Sequence, residues 1–123
     1  MQVYKTRWLA RFARLERITD ESLCEAIARA ESGLIDADLG GGLIKQRVAR
    51  QGQGRSGGYR MIVAYREKNR AVFLYGFAKS ERANIDKNEL VELRKVGLNW
   101  LNATHQTISE AIEDDVLEEV DRD

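Results

Sequence analysis

Two runs rich in β-branched and aromatic residues, YRMIVAYR (residues 59–66) and AVFLYGFAK (71–79), constrain this chain more than any other feature. Such residues suit a pleated, half-buried surface. The four polar residues between them, EKNR, have the length of a hairpin turn, with Asn69 suited to a left-handed position. The weaker alternation of LIKQRVAR adds a strand before them. The reading is three antiparallel strands in a meander, at about 43–50, 58–66 and 70–78.

Helical periodicity flanks the meander. In RWLARFARLERI, Trp8, Phe12 and Leu15 recur at i, i+4 and i+7, with Leu9 and Ile18 alongside and Arg7, Arg11, Arg14 and Arg17 off the stripe. TDES supplies a cap at Thr19 or Asp20, and a second helix runs to about Ala30 on Leu23 and Ile27. QVYK, residues 2–5, reads as a short first strand, and residues 32–42 as a loop. After the meander, Asp86 or Asn88 caps a helix whose inward stripe is Leu90, Leu93, Gly97, Leu98 and Leu101. Thr104 or Thr107 caps a further helix carrying Ile108, Ile112, Val116 and Val120. This order predicts a small α+β domain with helices on one face of an antiparallel sheet and the other face partly solvated. Along the middle strand, Arg60, Ile62, Ala64 and Arg66 alternate with Tyr59, Met61, Val63 and Tyr65.

The glycine-rich stretch GQGRSGGYR (52–60) joins two strands, so no helix N-terminus follows it to hold phosphate, and it lacks the order of a P-loop. What remains is a hairpin loop carrying cations. The net charge of zero hides an asymmetry. Residues 45–82 hold ten Lys or Arg against Glu67 and Glu81, a net of +8. Residues 105–123 hold eight acids against Arg122, a net of −7. A basic segment interleaved with strand residues, followed by an acidic tail, fits a polyanion-binding face.

The length of 123 residues allows one core, and the single Cys24 excludes an internal disulfide. No apolar run is long enough to span a membrane, and the start lacks a signal peptide's apolar core. The expectation is a cytoplasmic protein. No cluster of Asp, Glu, His and Cys has metal-ligand spacing, so neither metal nor cofactor is expected. The one histidine, His105, reads as a surface or cap residue.

The stretch DADLGGGLIKQRVARQGQGRSGGYRMIVAYR, with VFLYGFAKSERANI after it, resembles the RelE/ParE superfamily of type II toxins, nearest its RelE/HigB-like branch. The resemblance covers about residues 3–100. It divides the chain into a toxin domain, 1–103, and an acidic helical extension, 104–123. It implies two N-terminal helices packed on a small twisted antiparallel sheet, with a C-terminal helix after it. It also implies a ribosome-dependent endoribonuclease acting on mRNA, and a cognate antitoxin, often a helix-turn-helix protein. A ParE-type toxin would poison gyrase instead, and a degenerate member would only bind its antitoxin.

Cleavage of RNA by its own 2′-hydroxyl needs a base, cations for the phosphorane-like transition state, and an acid for the leaving 5′-oxygen. By the resemblance, Arg60 in GYR matches the strand arginine at the scissile phosphate. Lys45, Arg47 and Arg50 lie on the preceding strand, where the family has further lysines or arginines. Lys79 and Arg82 in FAKSER match the basic cluster after the third strand. The expected catalytic set is Arg60, Lys45 and Lys79; the expected RNA-binding set is Arg47, Arg50, Arg55, Arg82 and Tyr59. Tyr59 and Tyr65 either stack on a base or pack in the sheet. Asn84 and Ile85 stand near where the best-known members carry a terminal Tyr or His.

Overall fold

The computed structural model describes residues 1–50 and 57–121. The strongest strand signal forms the centre of a six-stranded sheet. The elements are β1 (Gln2–Thr6), α1 (Arg7–Glu16), α2 (Asp20–Glu31), β2 (Ala37–Gly40), β3 (Leu43–Val48), β4 (Tyr59–Arg66), β5 (Arg70–Ala78), α3 (Lys87–Asn102), α4 (His105–Glu113) and β6 (Leu117–Glu119). The sheet order is β2-β3-β4-β5-β1-β6. β1 runs parallel to β5, and every other pairing is antiparallel. The meander and the QVYK strand are therefore present. β2 arises within the stretch expected to be loop. The β4–β5 turn places Lys68, rather than Asn69, at positive φ.

Helices cover both faces of the sheet, which corrects the expectation of one solvated face. Met61, Val63 and Phe73 meet Leu9, Leu23 and Ile27 from α1 and α2. Ile62, Ala64, Val72 and Leu74 meet Leu101 and Ile108 from α3 and α4. The middle of β4 is apolar on both sides, and a strand of that kind needs cover above and below. Gly97 lets α3 lie close: a Cβ there would stand 2.9 Å from Leu43 Cδ2 and 3.1 Å from Ala64 Cβ.

The expected caps form. Thr19 accepts from Ser22 N, Thr104 accepts from Thr107 N, and Asp86 makes a capping box with Glu89. The last segment differs from the expected continuous helix. α4 stops at Glu113, and Asp115 has φ 59°. Arg7 donates to the carbonyls of Asp114 and Asp115 and so satisfies the helix end. The chain then extends into β6, which pairs with β1 and buries Leu117 and, after it, Val120.

A buried amide ties α2 to β3. Gln46 is 0% exposed. Its Nε2 donates to Ala26 O at 2.9 Å and Leu34 O at 3.2 Å, and its Oε1 accepts from Asp36 N at 2.7 Å. Gln46→Leu keeps the volume and strands three polar partners, so it should cost about 2–4 kcal/mol of stability in urea unfolding. A loss below about 0.5 kcal/mol would refute the clamp.

Candidate nucleic-acid interface

Strand register gathers the central cations. Arg47 on β3 pairs with Arg60 on β4, Lys45 pairs with Ile62, and Arg60 pairs in turn with Phe77 on β5. Registered partners point to the same side of a sheet, and side chains alternate. Lys45, Arg47 and Arg60 therefore share the α3 side with Ile62 and Phe77. A register shift between Ile62 and Val63 lets Leu74 and Tyr75 both belong to this side. The GYR end of the glycine-rich stretch enters β4 through a close approach. A Cβ on Gly58 would stand 2.3 Å from Val48 O, so only glycine brings the strands together there.

Arg60 is 8% exposed and Arg47 is exposed beside it. Burial, and then the positive charge of Arg47, push the Arg60 pKa down, while Asp36 acts the other way. Asp36 holds this corner. Its Oδ2 accepts from Arg47 N at 2.7 Å and from Arg29 Nη1 at 3.2 Å. Arg29 Nη2 also donates to Arg47 O. Burial alone would raise the Asp36 pKa; these hydrogen bonds, with the charges of Arg29 and Arg47, outweigh it and hold the carboxyl below its ordinary value.

The other expected site residues divide. Lys79 is exposed, and its backbone N–H donates to Gly58 O at 3.0 Å, which sets the end of β5 beside the start of β4. Arg50 is exposed and lies 5.8 Å from the centroid of the Tyr59 ring. Arg55 lies outside the described residues. Tyr59 points to the opposite face from Arg60. It is 2% exposed, meets Phe12 edge-on and donates to Glu16 Oε1 at 3.0 Å. Burial, then this bond, raise its pKa. A base cannot stack on so enclosed a ring, which corrects its reading as an RNA contact. Tyr65 likewise donates to Glu31.

Arg82 is committed to the fold. It meets Glu89 through two nitrogens, at 2.5 and 3.1 Å, donates to Asn84 O and to the Tyr75 hydroxyl, and lies over Phe77. Arg66 donates to Leu101 O and Asn102 Oδ1, and Arg70 to Trp100 O and Ala103 O. Both thus satisfy the end of α3. Counting bases along the chain missed this division of labour. It also missed an aromatic run in which Trp8 lies 4.5 Å from Tyr75 and Tyr75 lies 6.3 Å from Phe77. The acidic β6 is separated from β4 by β5 and β1 in the sheet order.

The family model described as the RelE toxin of the RelE/RelB toxin-antitoxin system matches residues 1–120. The chain belongs to the RelE toxin family. The match takes in α4 and β6 as well as the meander. No curated protein and no solved structure is significantly similar to it. A RelE-family toxin implies a cognate antitoxin as partner. Among the described residues, no helix is long and apolar enough to cross a membrane.

In this RelE-family toxin the Arg82–Glu89 pair predicts an acid response. The hydrogen bond from Arg82, with that from Asp86 N, lowers the Glu89 pKa from 4.5 to about 2. A depressed carboxyl pKa stabilises the fold above the unfolded value, and that contribution is lost as pH falls through the folded one. The stability gap between the wild type and Glu89→Gln should therefore be full at pH 6 and shrink between about pH 4.5 and 2. A gap independent of pH in chemical denaturation would contradict the pairing.

Proposed function

We propose that this toxin is a ribosome-dependent endoribonuclease that cleaves mRNA with lysine and arginine side chains. The observation that carries the reading is the registered Arg47–Arg60 pair, one member buried. Like charges directly opposite on neighbouring strands destabilise a sheet. A doubly charged phosphorane would turn that cost into attraction.

In this reading Arg60 and Arg47 hold the scissile phosphate and stabilise the charge that develops on its oxygens. Lys45, two residues along β3, takes the proton of the 2′-hydroxyl. The new 2′-oxygen–phosphorus bond forms as the 5′-oxygen–phosphorus bond breaks. Lys79, at the end of β5, protonates the leaving 5′-oxygen. The products are a 2′,3′-cyclic phosphate and a 5′-hydroxyl. Arg50 and Arg55 add contacts to the RNA backbone. Arg82, tied to Glu89, fixes the β5–α3 connection that carries Lys79. Such phosphate contacts weaken steeply with salt and carry no sequence information, so codon choice falls to the ribosome and to the shape of the row. The reading places the toxin in the cytoplasm, with a helix-turn-helix antitoxin as its regulator.

The test is a reconstituted translation reaction with RNA ends mapped by sequencing. The wild type should cut within translated codons and leave untranslated message intact. Arg60→Gln should lower the cleavage rate by ~10²–10³. Arg60→Lys keeps the charge but loses the planar fork, and should recover only a small part of the rate. Both variants should unfold cooperatively, which separates lost chemistry from lost structure. Intact message during growth arrest, with DNA damage in its place, would overturn the reading in favour of a gyrase poison.

A further inference from the structure

Arg47 sits on an open sheet edge. β2 pairs with β3 only as far as Ala37 and Lys45, so among the described residues no strand flanks β3 at Arg47. Two side chains stand where that strand would run. Asp36 Oδ2 accepts from Arg47 N at 2.7 Å, and Arg29 Nη2 donates to Arg47 O. Arg29 Nη1 donates to the same Asp36 oxygen at 3.2 Å, which joins the two into one latch. The latch is itself anchored. Asp36 N donates to the buried Gln46 amide at 2.7 Å, and Arg29 Nε donates to Glu25 Oε2 at 2.7 Å. The Arg29 and Asp36 side chains are 12% and 23% exposed, so this is not a solvated surface pair.

The direction of these bonds sets the spacing between Arg47 and Arg60. In an antiparallel ladder the N–H and C=O of one residue point the same way. Arg47 sends both to the open edge and neither to β4. Arg47 and Arg60 therefore make a non-hydrogen-bonded pair. This is the narrow kind, with Cα atoms about 4.5 Å apart rather than about 5.5 Å. β4 agrees: Gly58 O, two residues before Arg60, accepts from Lys79 N, just past β5. Narrow pairing brings the two side chains close, and like charges set opposite each other push the strands apart. The latch resists that push at a point where no outer strand does.

We propose that Asp36, together with Arg29, is a positioning residue that holds the main chain of Arg47 so that its guanidinium and that of Arg60 close on one phosphate. The proposal deepens the ribonuclease reading and rests on it. It also makes a carboxylate do something its charge opposes. Negative charge beside a phosphate site repels the polyanion, so its removal should by charge alone tighten RNA binding. Loosening Arg47 acts on the other quantity, because small misplacement of a group that meets the reacting phosphate slows the chemical step. The two effects separate in kinetics.

The experiment is single-turnover cleavage of message on translating ribosomes by the full chain, titrated to saturation. Asp36→Ala should lower the maximal rate about 10- to 100-fold, with the half-saturating concentration unchanged or lower. Asp36→Asn keeps an oxygen acceptor in the same place and should recover most of the rate. In an Arg47→Ala background, Asp36→Ala should change the residual rate less than about twofold, because the latch acts only through Arg47. Each variant should unfold cooperatively above the assay temperature. Wild type that cuts no message overturns the ribonuclease reading and this proposal together. If the wild type cuts, three results overturn the latch alone: Asp36→Ala within about threefold of the wild-type rate, Asp36→Asn as slow as Asp36→Ala, or equal slowing by Asp36→Ala with and without Arg47.

Discussion

The structure depends on a hairpin that is apolar on both sides. β4 and β5 bury nearly every residue, and no single helical layer can cover both of their faces. The chain therefore provides α1 and α2 from before the hairpin and α3 and α4 from after it. β1 joins the far side of β5 in parallel and returns the N-terminus to the centre. Once both faces are covered, cations on the α3 side lie at both ends of β4: Arg60 with Lys45 and Arg47 at one, and Arg66, which meets the end of α3, at the other. The position of the first group follows from where the apolar alternation of β4 gives way to Arg60.

The cations of this molecule fall into two energetic kinds. Arg66 and Arg70 satisfy helix-end carbonyls, Arg29 satisfies Asp36 and Arg47 O, and Arg82 satisfies Glu89. Each lowers the free energy of the fold. Arg47 and Arg60 are brought side by side by strand register, as Arg66 and Arg70 are. What distinguishes the first pair is its surroundings: burial and the charge of Arg47 lower the Arg60 pKa while Asp36 acts the other way, whereas Arg66 and Arg70 meet carbonyls at the end of α3.

Much of this was legible in the sequence, and the failures have particular causes. The meander, the first strand and the caps at Thr19, Asp86 and Thr104 follow from periods of two and 3.6 and from capping chemistry, all of which are local. Arg60, Lys45 and Arg47 were singled out by the resemblance; that they share one side of the sheet follows from strand register, which pairs Arg47 with Arg60 and Lys45 with Ile62. The pairing of Arg82 with Glu89 was hidden, since DKNE reads only as a capping box and nothing in it names an arginine outside the helix. The Tyr59 assignment failed because alternation alone places Tyr59 and Arg60 on opposite faces but does not say which face is open. β6 was hidden because EDDVLEEV keeps a helical period through Val116 and Val120. What breaks it is Arg7, more than a hundred residues earlier, holding the carbonyls of Asp114 and Asp115.

α1 is the case where the strongest local pattern pointed the wrong way. Trp8, Phe12 and Leu15 make the more obvious stripe, yet the helix packs on Leu9, Ala10 and Ala13, with Phe12 half-buried at their edge and Trp8 and Leu15 exposed. Small residues let α1 sit close to the sheet over Phe73 and Met61, where the larger stripe would hold it off. Trp8 then finds its contacts sideways, against Phe12 and Tyr75. Tyr75 accepts from Arg82, which lies over Phe77 beside the registered arginines. The outer face of α1 and the cationic row thus occupy opposite sides of the sheet and meet through one aromatic edge.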